Sequence, residues 1–177
     1  MKVKTAYLTF ILPFILLFCA VKTKAQFSWV QIGVDGLTCS QCSRSVEMSI
    51  RKLDFVQDVE MNLEHTEGKI TFKPGARVNV SKIAQAVVNA GFSVRYLHAG
   101  FLFKDTSIDK AYCFAFEEKQ YQFVIPAIGT ETKKLDGEVV LKFIGKKFQS
   151  AKEFKHWKAE LGPPCDKSKG ETLYVTL

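Results

Sequence analysis

The feature that most constrains the fold is the order in which two hydrophobic periods alternate between residues 29 and 96. Residues 29–35 alternate with a period of two, whereas the apolar side chains of residues 42–53 recur every three or four positions. A period of two is typical of a half-buried strand, and a period near 3.6 is typical of an amphipathic helix. The stretch is therefore predicted to begin with a strand, a loop at 36–41 and a helix from Cys42.

The same two periods return further along the chain. Two strands, a second helix and a last strand are predicted at residues 55–63, 69–73, 80–88 and 92–96. Asn79 and Gly91 are the expected caps of the second helix. The order strand, helix, strand, strand, helix, strand predicts an α+β, ferredoxin-like βαββαβ sandwich with both helices on one face of the sheet. The loop at 36–41, the hairpin around His65 and the turn at 90–92 are then expected to share one end.

The first 25 residues have the three parts of a secretory signal peptide. Two lysines precede an uncharged apolar run from Ala6 to Ala20, and the small residue Ala25 comes before Gln26. This run is shorter than the roughly 20 residues that a membrane span requires. We therefore expect residues 1–25 to be cleaved, no stable membrane span to remain, and the protein to be periplasmic or extracellular.

Charge sets a further limit on the partners of the exported chain. Removing the signal peptide takes four of the 25 basic residues and none of the 18 acidic ones, which leaves a net charge of +3. This balance is too small to predict binding to nucleic acid. The chain itself gives no indication of its oligomeric state.

Residues 98–177 are predicted to form a second, small, mostly β domain of unknown function. A short barrel is one fold that fits this prediction. The strands of this domain are expected at residues 101–103, 111–116, 121–125, 138–144 and 173–177, and its single helix at residues 150–161. Cys113 and Cys165 both fall in this part and are predicted to form a structural disulfide. Most of its aromatic residues are expected in the core, with any surplus at the surface available to a partner.

Cys39 and Cys42 are the candidate metal ligands. They straddle the junction between the predicted loop and helix, where free N–H groups and the helix dipole favour the thiolate form. A closed zinc site needs four ligands, and this pair supplies two. Two thiolates suit Cu(I) or a softer thiophilic ion. An open site of two sulfurs also allows the thiolates of a partner protein to take the ion.

Three other interpretations remain open at this point. Cys39 and Cys42 could cycle as the dithiol of a redox protein, or form a structural disulfide without further function, because four cysteines in an exported chain first suggest disulfides. His65 lies in the hairpin at the same end and is a candidate third ligand, although a turn histidine between two glutamates is more often solvated.

The segment Gly36-Leu37-Thr38-Cys39-Ser40-Gln41-Cys42, the βαββαβ order and Ala90-Gly91-Phe92 together resemble the heavy-metal-associated domain, over residues 27–97. That family includes copper chaperones, N-terminal modules of metal-pumping P-type ATPases and secreted mercury-scavenging proteins. The resemblance implies that Cys39 and Cys42 bind the metal and that Phe92 packs beneath the site. Thr38 is the residue that copper-type members commonly carry, whereas Leu37 stands where the family usually has Met.

The resemblance further implies a protein that binds or transfers metal and is not an enzyme. Cu(I) is the first expected ion, with Hg(II), Ag(I) or Zn(II) as the others, and the expected partner is a metal-donating or metal-accepting protein. A carrier of this kind needs only its first domain of about 70 residues. We therefore expect residues 98–177 to supply docking, and a chain that ends near Leu97 to fold and bind metal on its own.

Overall fold

The structure, a computed structural model, describes residues 27–109, 112–124, 132–165 and 171–177. The signal peptide expected at residues 1–25 lies outside the described residues. Within the described ranges, no helix combines the length and the apolar character that crossing a membrane requires.

Along the described ranges, strands and helices follow one another in an order that confirms the first six predicted elements. They are β1 (Phe27–Asp35), α1 (Ser40–Arg51), β2 (Val56–Asn62), β3 (Glu67–Phe72), α2 (Val80–Asn89), β4 (Ser93–Ile108), β5 (Cys113–Phe116), β6 (Lys119–Phe123), β7 (Lys133–Ile144), α3 (Ala151–Trp157) and β8 (Thr172–Thr176).

Strands β2, β3, β1 and β4 lie side by side in that order and pair antiparallel, as the ferredoxin-like arrangement requires. Val30, Ile32 and Val34 of β1 are completely buried. The apolar stripes of both helices are buried as well, with Val46 and Ile50 on α1 and a longer set on α2. The predicted caps of α2 are confirmed, because the Asn79 side chain accepts a hydrogen bond from the N–H of Lys82 and Gly91 has a φ of +89°.

Strand β4 is longer than predicted and continues past Leu97, where we placed the end of the first domain. Its first part pairs with β1 as far as Phe101, and the stretch from His98 to Ile108 pairs on its other side with β7. The described strands therefore form one sheet of eight, in the order β2-β3-β1-β4-β7-β8-β6-β5. Residues 27–97 and 98–177 share a strand, and their division into two domains stays a proposal.

The barrel considered for residues 98–177 is wrong, because the sheet of the described residues stays open with β2 and β5 as its edges. It is nevertheless strongly curled. Although β5 lies four strands from β4 in the sheet, the rings of Phe116 and Phe101 are 5.1 Å apart, and Phe116 also lies 5.6 Å from Phe27 of β1. The sheet twist has thus carried its far edge back over β4.

The predicted disulfide between Cys113 and Cys165 is confirmed, with the two Cα atoms 6.6 Å apart. It ties edge strand β5 to the segment that follows α3. Hydrogen bonds hold the same segment, since Gln122 Nε2 donates to the Pro163 carbonyl at 3.1 Å and the Tyr174 hydroxyl donates to that of Gly162 at 3.0 Å. The short edge strand is therefore covalently fixed from outside the sheet.

Candidate metal-binding site

Cys39 and Cys42 lie at the start of α1, in the positions that the sequence predicts, although the helix begins earlier than expected. Ser40 is its first residue and Cys39 is its N-cap, with extended backbone angles of φ −148° and ψ 159°. The N–H of Cys42 donates to Sγ of Cys39 at 3.1 Å, and the N–H of Ser43 donates to the Cys39 carbonyl at the same distance. Cys39 sulfur thus takes the capping role that a side-chain oxygen usually has.

The two sulfurs are close together and differ in their surroundings. Cys39 is exposed, whereas Cys42 is half-buried and packs against the apolar core. Their Cα atoms are 5.2 Å apart, and the structure joins their sulfurs in a disulfide. There is no acidic side chain in the first turn of α1. The helix N-terminus therefore offers N–H groups and positive potential to charge on either sulfur.

Apolar residues on both sides of the pair hold the loop in place. Leu37, at the position where the resemblance leads us to expect Met, is 4% exposed and belongs to the core cluster. Gly36 has a φ of +88°, which favours glycine, and a Cβ at this position would lie 3.6 Å from the Phe92 ring. Phe92 is half-buried against the core beside Gly36. Leu37 and Phe92 thus anchor the start of the loop.

The far end of α1 is fixed by Arg51, a residue that no sequence motif marks. Its guanidinium forms ion pairs with Glu47 and Asp58, both at 2.7 Å, and donates to the Val59 carbonyl of β2 at 2.8 Å. The hydrogen bonds to Glu47 and Asp58 raise the pKa of Arg51, and the bond from Arg51 lowers the pKa of Asp58. The helix that carries both cysteines is therefore held to the sheet edge through charge.

The hairpin around His65 adjoins the end of β1, as predicted, but it does not add a third ligand to the cysteine pair. His65 is exposed. Within the described ranges, no group of three or more His, Cys, Asp or Glu side chains could hold a metal ion. The geometry is that of a solvated turn histidine.

A residue that sequence reasoning missed, Arg95, holds this hairpin. It donates to the His65 carbonyl and to Thr66 Oγ1, both at 2.8 Å, and the Thr66 carbonyl accepts from the N–H of Val34 at 2.9 Å. The Tyr96 hydroxyl donates to Glu67 at the base of the same hairpin. Burial and this bond to Glu67 raise the pKa of Tyr96. An arginine at the beginning of a strand gives no sequence signal of such a role.

The family model of the heavy-metal-associated domain matches residues 31–93. The copper chaperone CopZ of Bacillus subtilis is 36% identical over 63 residues, which cover 36% of this chain and 90% of the chaperone. The periplasmic component of mercuric transport from Pseudomonas fluorescens is also 36% identical over 63 residues, covering 36% of this chain and 68% of that protein.

A third relative is much longer than this chain. Copper-transporting ATPase 1 of Rhizobium meliloti is 37% identical over 65 residues, which cover 37% of this chain but only 8% of the ATPase. All three alignments concern little more than a third of the chain. Through residues 31–93, with Cys39 and Cys42 at the start of α1, the chain belongs to the heavy-metal-associated domain family.

Proposed function

We propose that this is an exported protein that binds a soft metal ion, Cu(I) before Hg(II) or Ag(I), between Cys39 and Cys42 and passes it to a partner protein. The observation that carries the proposal is a pair of adjacent sulfurs at the exposed N-terminus of α1. Membership in a family that includes a copper chaperone and a periplasmic mercuric transport component supports it.

The donor set favours a two-coordinate ion. Reduction of the Cys39–Cys42 disulfide takes up two electrons and two protons, and loss of those protons on metal binding gives two thiolates on one short loop. Thiolates prefer Cu(I) and other soft ions, whereas a structural zinc site is closed by four ligands. Because the described residues offer no group of three candidate ligands, Zn(II) fits this chain less well than Cu(I).

Exposure of Cys39 supports transfer rather than storage. A thiolate of the partner can approach the ion from the Cys39 side, become a third ligand and then replace one of the two cysteines. Half-buried Cys42 keeps the ion on the protein until that exchange occurs. This pathway requires no enzyme chemistry from the chain.

The test is a titration of the reduced protein with Cu(I) in competition with a chromophoric Cu(I) chelator. One Cu(I) per chain is expected, and the double variant Cys39→Ser/Cys42→Ser should bind none while keeping its far-ultraviolet circular dichroism. The matched control is Cys113→Ser/Cys165→Ser, which removes the second disulfide and should retain one Cu(I). Stoichiometric binding by the Cys39/Cys42 double variant would falsify the assignment of these ligands.

One observation favours a second function, that of a thiol–disulfide redox protein: the structure contains Cys39 and Cys42 in the disulfide form. The two functions predict different states of the Cys39–Cys42 pair in the native compartment. Mass spectrometry of the protein isolated under thiol-trapping conditions should find a metal-bound dithiol if it is a carrier. A metal-free population divided between dithiol and disulfide, together with reduction of insulin by the isolated protein, would favour the redox function.

A further inference from the structure

A cavity of about 370 Å³ lies between helix α3 and the sheet, and neither Cys39 nor Cys42 lines it. Strand β4 contributes Arg95, Tyr96 and His98, β7 contributes Lys142, and α3 contributes Trp157. This volume falls within the range of about 300–1,000 Å³ that small-molecule sites occupy.

The roof of the cavity is fixed to its floor by main-chain contacts. The N–H of Ser150, the N-cap of α3, donates to the Arg95 carbonyl at 3.1 Å. The Ser150 side chain in turn accepts from the N–H of Glu153 at 3.3 Å. Trp157, in the last turn of α3, is half-buried over the sheet. The cavity is therefore bounded by regular elements and is not a gap between loops.

Two cations line this cavity and have no carboxylate partner in the part of the chain that the structure describes. Arg95 donates to two neutral groups of the hairpin, the carbonyl of His65 and the hydroxyl of Thr66. Lys142 lies opposite His98 in the β4–β7 ladder. Neither cation forms an ion pair within the described residues, whereas Arg51, Lys119, Lys134 and Lys147 all do.

Besides the two cations, the wall consists of three aromatic side chains, one carboxylate and the neutral polar residues Gln149 and Thr176. The rings of Tyr96 and His98 are stacked, with centroids 4.6 Å apart. Burial and the nearby Lys142 lower the pKa of His98, against the opposing effect of Glu67, so this ring adds no charge at neutral pH. Glu153 is the acidic residue of the lining. With Arg95 and Lys142 against Glu153, the lining carries net positive charge.

We propose that this cavity binds a small molecule through a carboxylate or phosphate group, held by Arg95 and Lys142, with the rest of the ligand against the Tyr96–His98 stack and Trp157. Two of the five N–H donors of Arg95 hold the hairpin, which leaves others for an oxyanion, and Lys142 adds a point charge. Aromatic walls with a few polar groups are typical of small-molecule sites. This site is separate from the metal ligands and does not depend on the proposed function.

The two tryptophans of the chain allow a test that locates binding. Trp157 lies in the cavity wall, whereas the Trp29 indole donates to Glu138 and faces a different groove of the sheet. The processed form of the protein is labelled with nitrogen-15 and titrated with inorganic phosphate and, in a separate experiment, with acetate. We expect the indole N–H signal of Trp157 to shift saturably with at least one of them, while that of Trp29 stays in place.

Charge variants then test the contacts. Lys142→Gln should weaken binding by roughly tenfold, because it removes one charge-assisted hydrogen bond. Glu153→Gln should tighten it, and the control Lys69→Gln, in the groove that holds Trp29, should change nothing. A preference for phosphate or for acetate identifies the oxyanion. A linear shift that affects both indoles, or equal effects of Lys142→Gln and Lys69→Gln, would overturn the proposal.

Discussion

The two halves of the sheet bury their apolar surface in different ways. The strands β1–β3 are covered by two amphipathic helices, and the residues between them are mainly Val and Ile. In the other half, the described residues include no second pair of helices on the corresponding face of the sheet. Its core combines aliphatic side chains such as Leu141 and Val175 with a cluster of aromatic rings. These rings come from β4 to β7 and meet because the sheet curls over itself: Phe101, Phe103, Phe114, Phe116, Tyr121, Phe123 and Phe143.

This difference shows what each half needs in order to fold. A helix satisfies its own backbone hydrogen bonds and presents an apolar stripe, so the first half is assembled from locally formed units. The curled half depends on strand pairing between distant residues, including the parallel pair β6 and β8, and its edge strand is fixed by the Cys113–Cys165 disulfide. Only the first half carries the candidate metal ligands.

The largest change that tests this comparison is removal of the second half. A chain that ends at Leu97 should bind Cu(I) as tightly as the full protein, because both cysteines and their supports precede the cut. It loses the pairing of β1 with residues 98–101, whereas a chain that ends at Phe103 keeps this pairing and the contact of Phe101 with Phe27. We therefore expect the free energy of unfolding of the chain ending at Leu97 to be lower by about 3 kcal/mol.

Two measurements decide this prediction, Cu(I) affinity by chelator competition and stability by urea denaturation. A large drop in affinity in both shortened chains would mean that the second half contributes to the metal site. If neither chain folds, the eight strands form a single cooperative unit and the two-domain proposal is wrong.

The largest effect of a single substitution is expected in the aromatic core. Counting the described residues alone, Phe101 is 2% exposed and has four rings within 5.3 Å of its own. Phe55 of the first half is 4% exposed and has one ring neighbour among them, Phe72 at 6.2 Å. Phe101→Ala should lower the free energy of unfolding by about 5 kcal/mol and Phe55→Ala by about 3 kcal/mol. Equal losses in urea denaturation would show that ring clustering adds nothing beyond burial.

Loss of the second disulfide should separate stability from metal binding. Cys113 and Cys165 are 52 positions apart, and a loop of this length predicts a loss of about 4 kcal/mol for Cys165→Ser in the chain-entropy model. Calorimetry should therefore find a lower melting temperature, while Cu(I) stoichiometry stays at one per chain. Detection of free thiols at both positions by non-reducing peptide mapping would contradict the pairing.

The smallest predicted effect concerns the metal loop itself. Gly36 and Gly75 both have positive φ values, +88° and +73°, but only Gly36 adjoins the cysteine pair. Gly36→Ala and Gly75→Ala should each cost about 1–2 kcal/mol of stability, since an L residue is strained there. Only Gly36→Ala should also weaken Cu(I) binding. Unchanged Cu(I) affinity in Gly36→Ala would mean that the start of the loop does not position Cys39.

The sequence predicted much of this molecule because several of its signals are local. Periods of two and 3.6 identified the first six elements, and Asn79 and Gly91 marked the ends of α2 through capping chemistry. The spacing of Cys39 and Cys42 against the start of the helical period predicted two sulfurs near the beginning of α1, where the structure brings them together. The aromatic residues of the second half were expected mainly in the core, and seven of them are buried or half-buried: Phe101, Phe103, Tyr112, Phe114, Phe116, Tyr121 and Phe123.

Only the tertiary structure determined how the second half joins the first. A hydrophobic period indicates which face of a strand is buried, but it does not say which strand lies beside it. The continuation of β4 from β1 to β7, the open but curled sheet and the position of Phe27 against Phe116 all follow from long-range pairing. The contacts of Arg95 and the cavity beneath Trp157 arise in the same way, since they join residues of β4 to distant elements whose proximity no local pattern encodes.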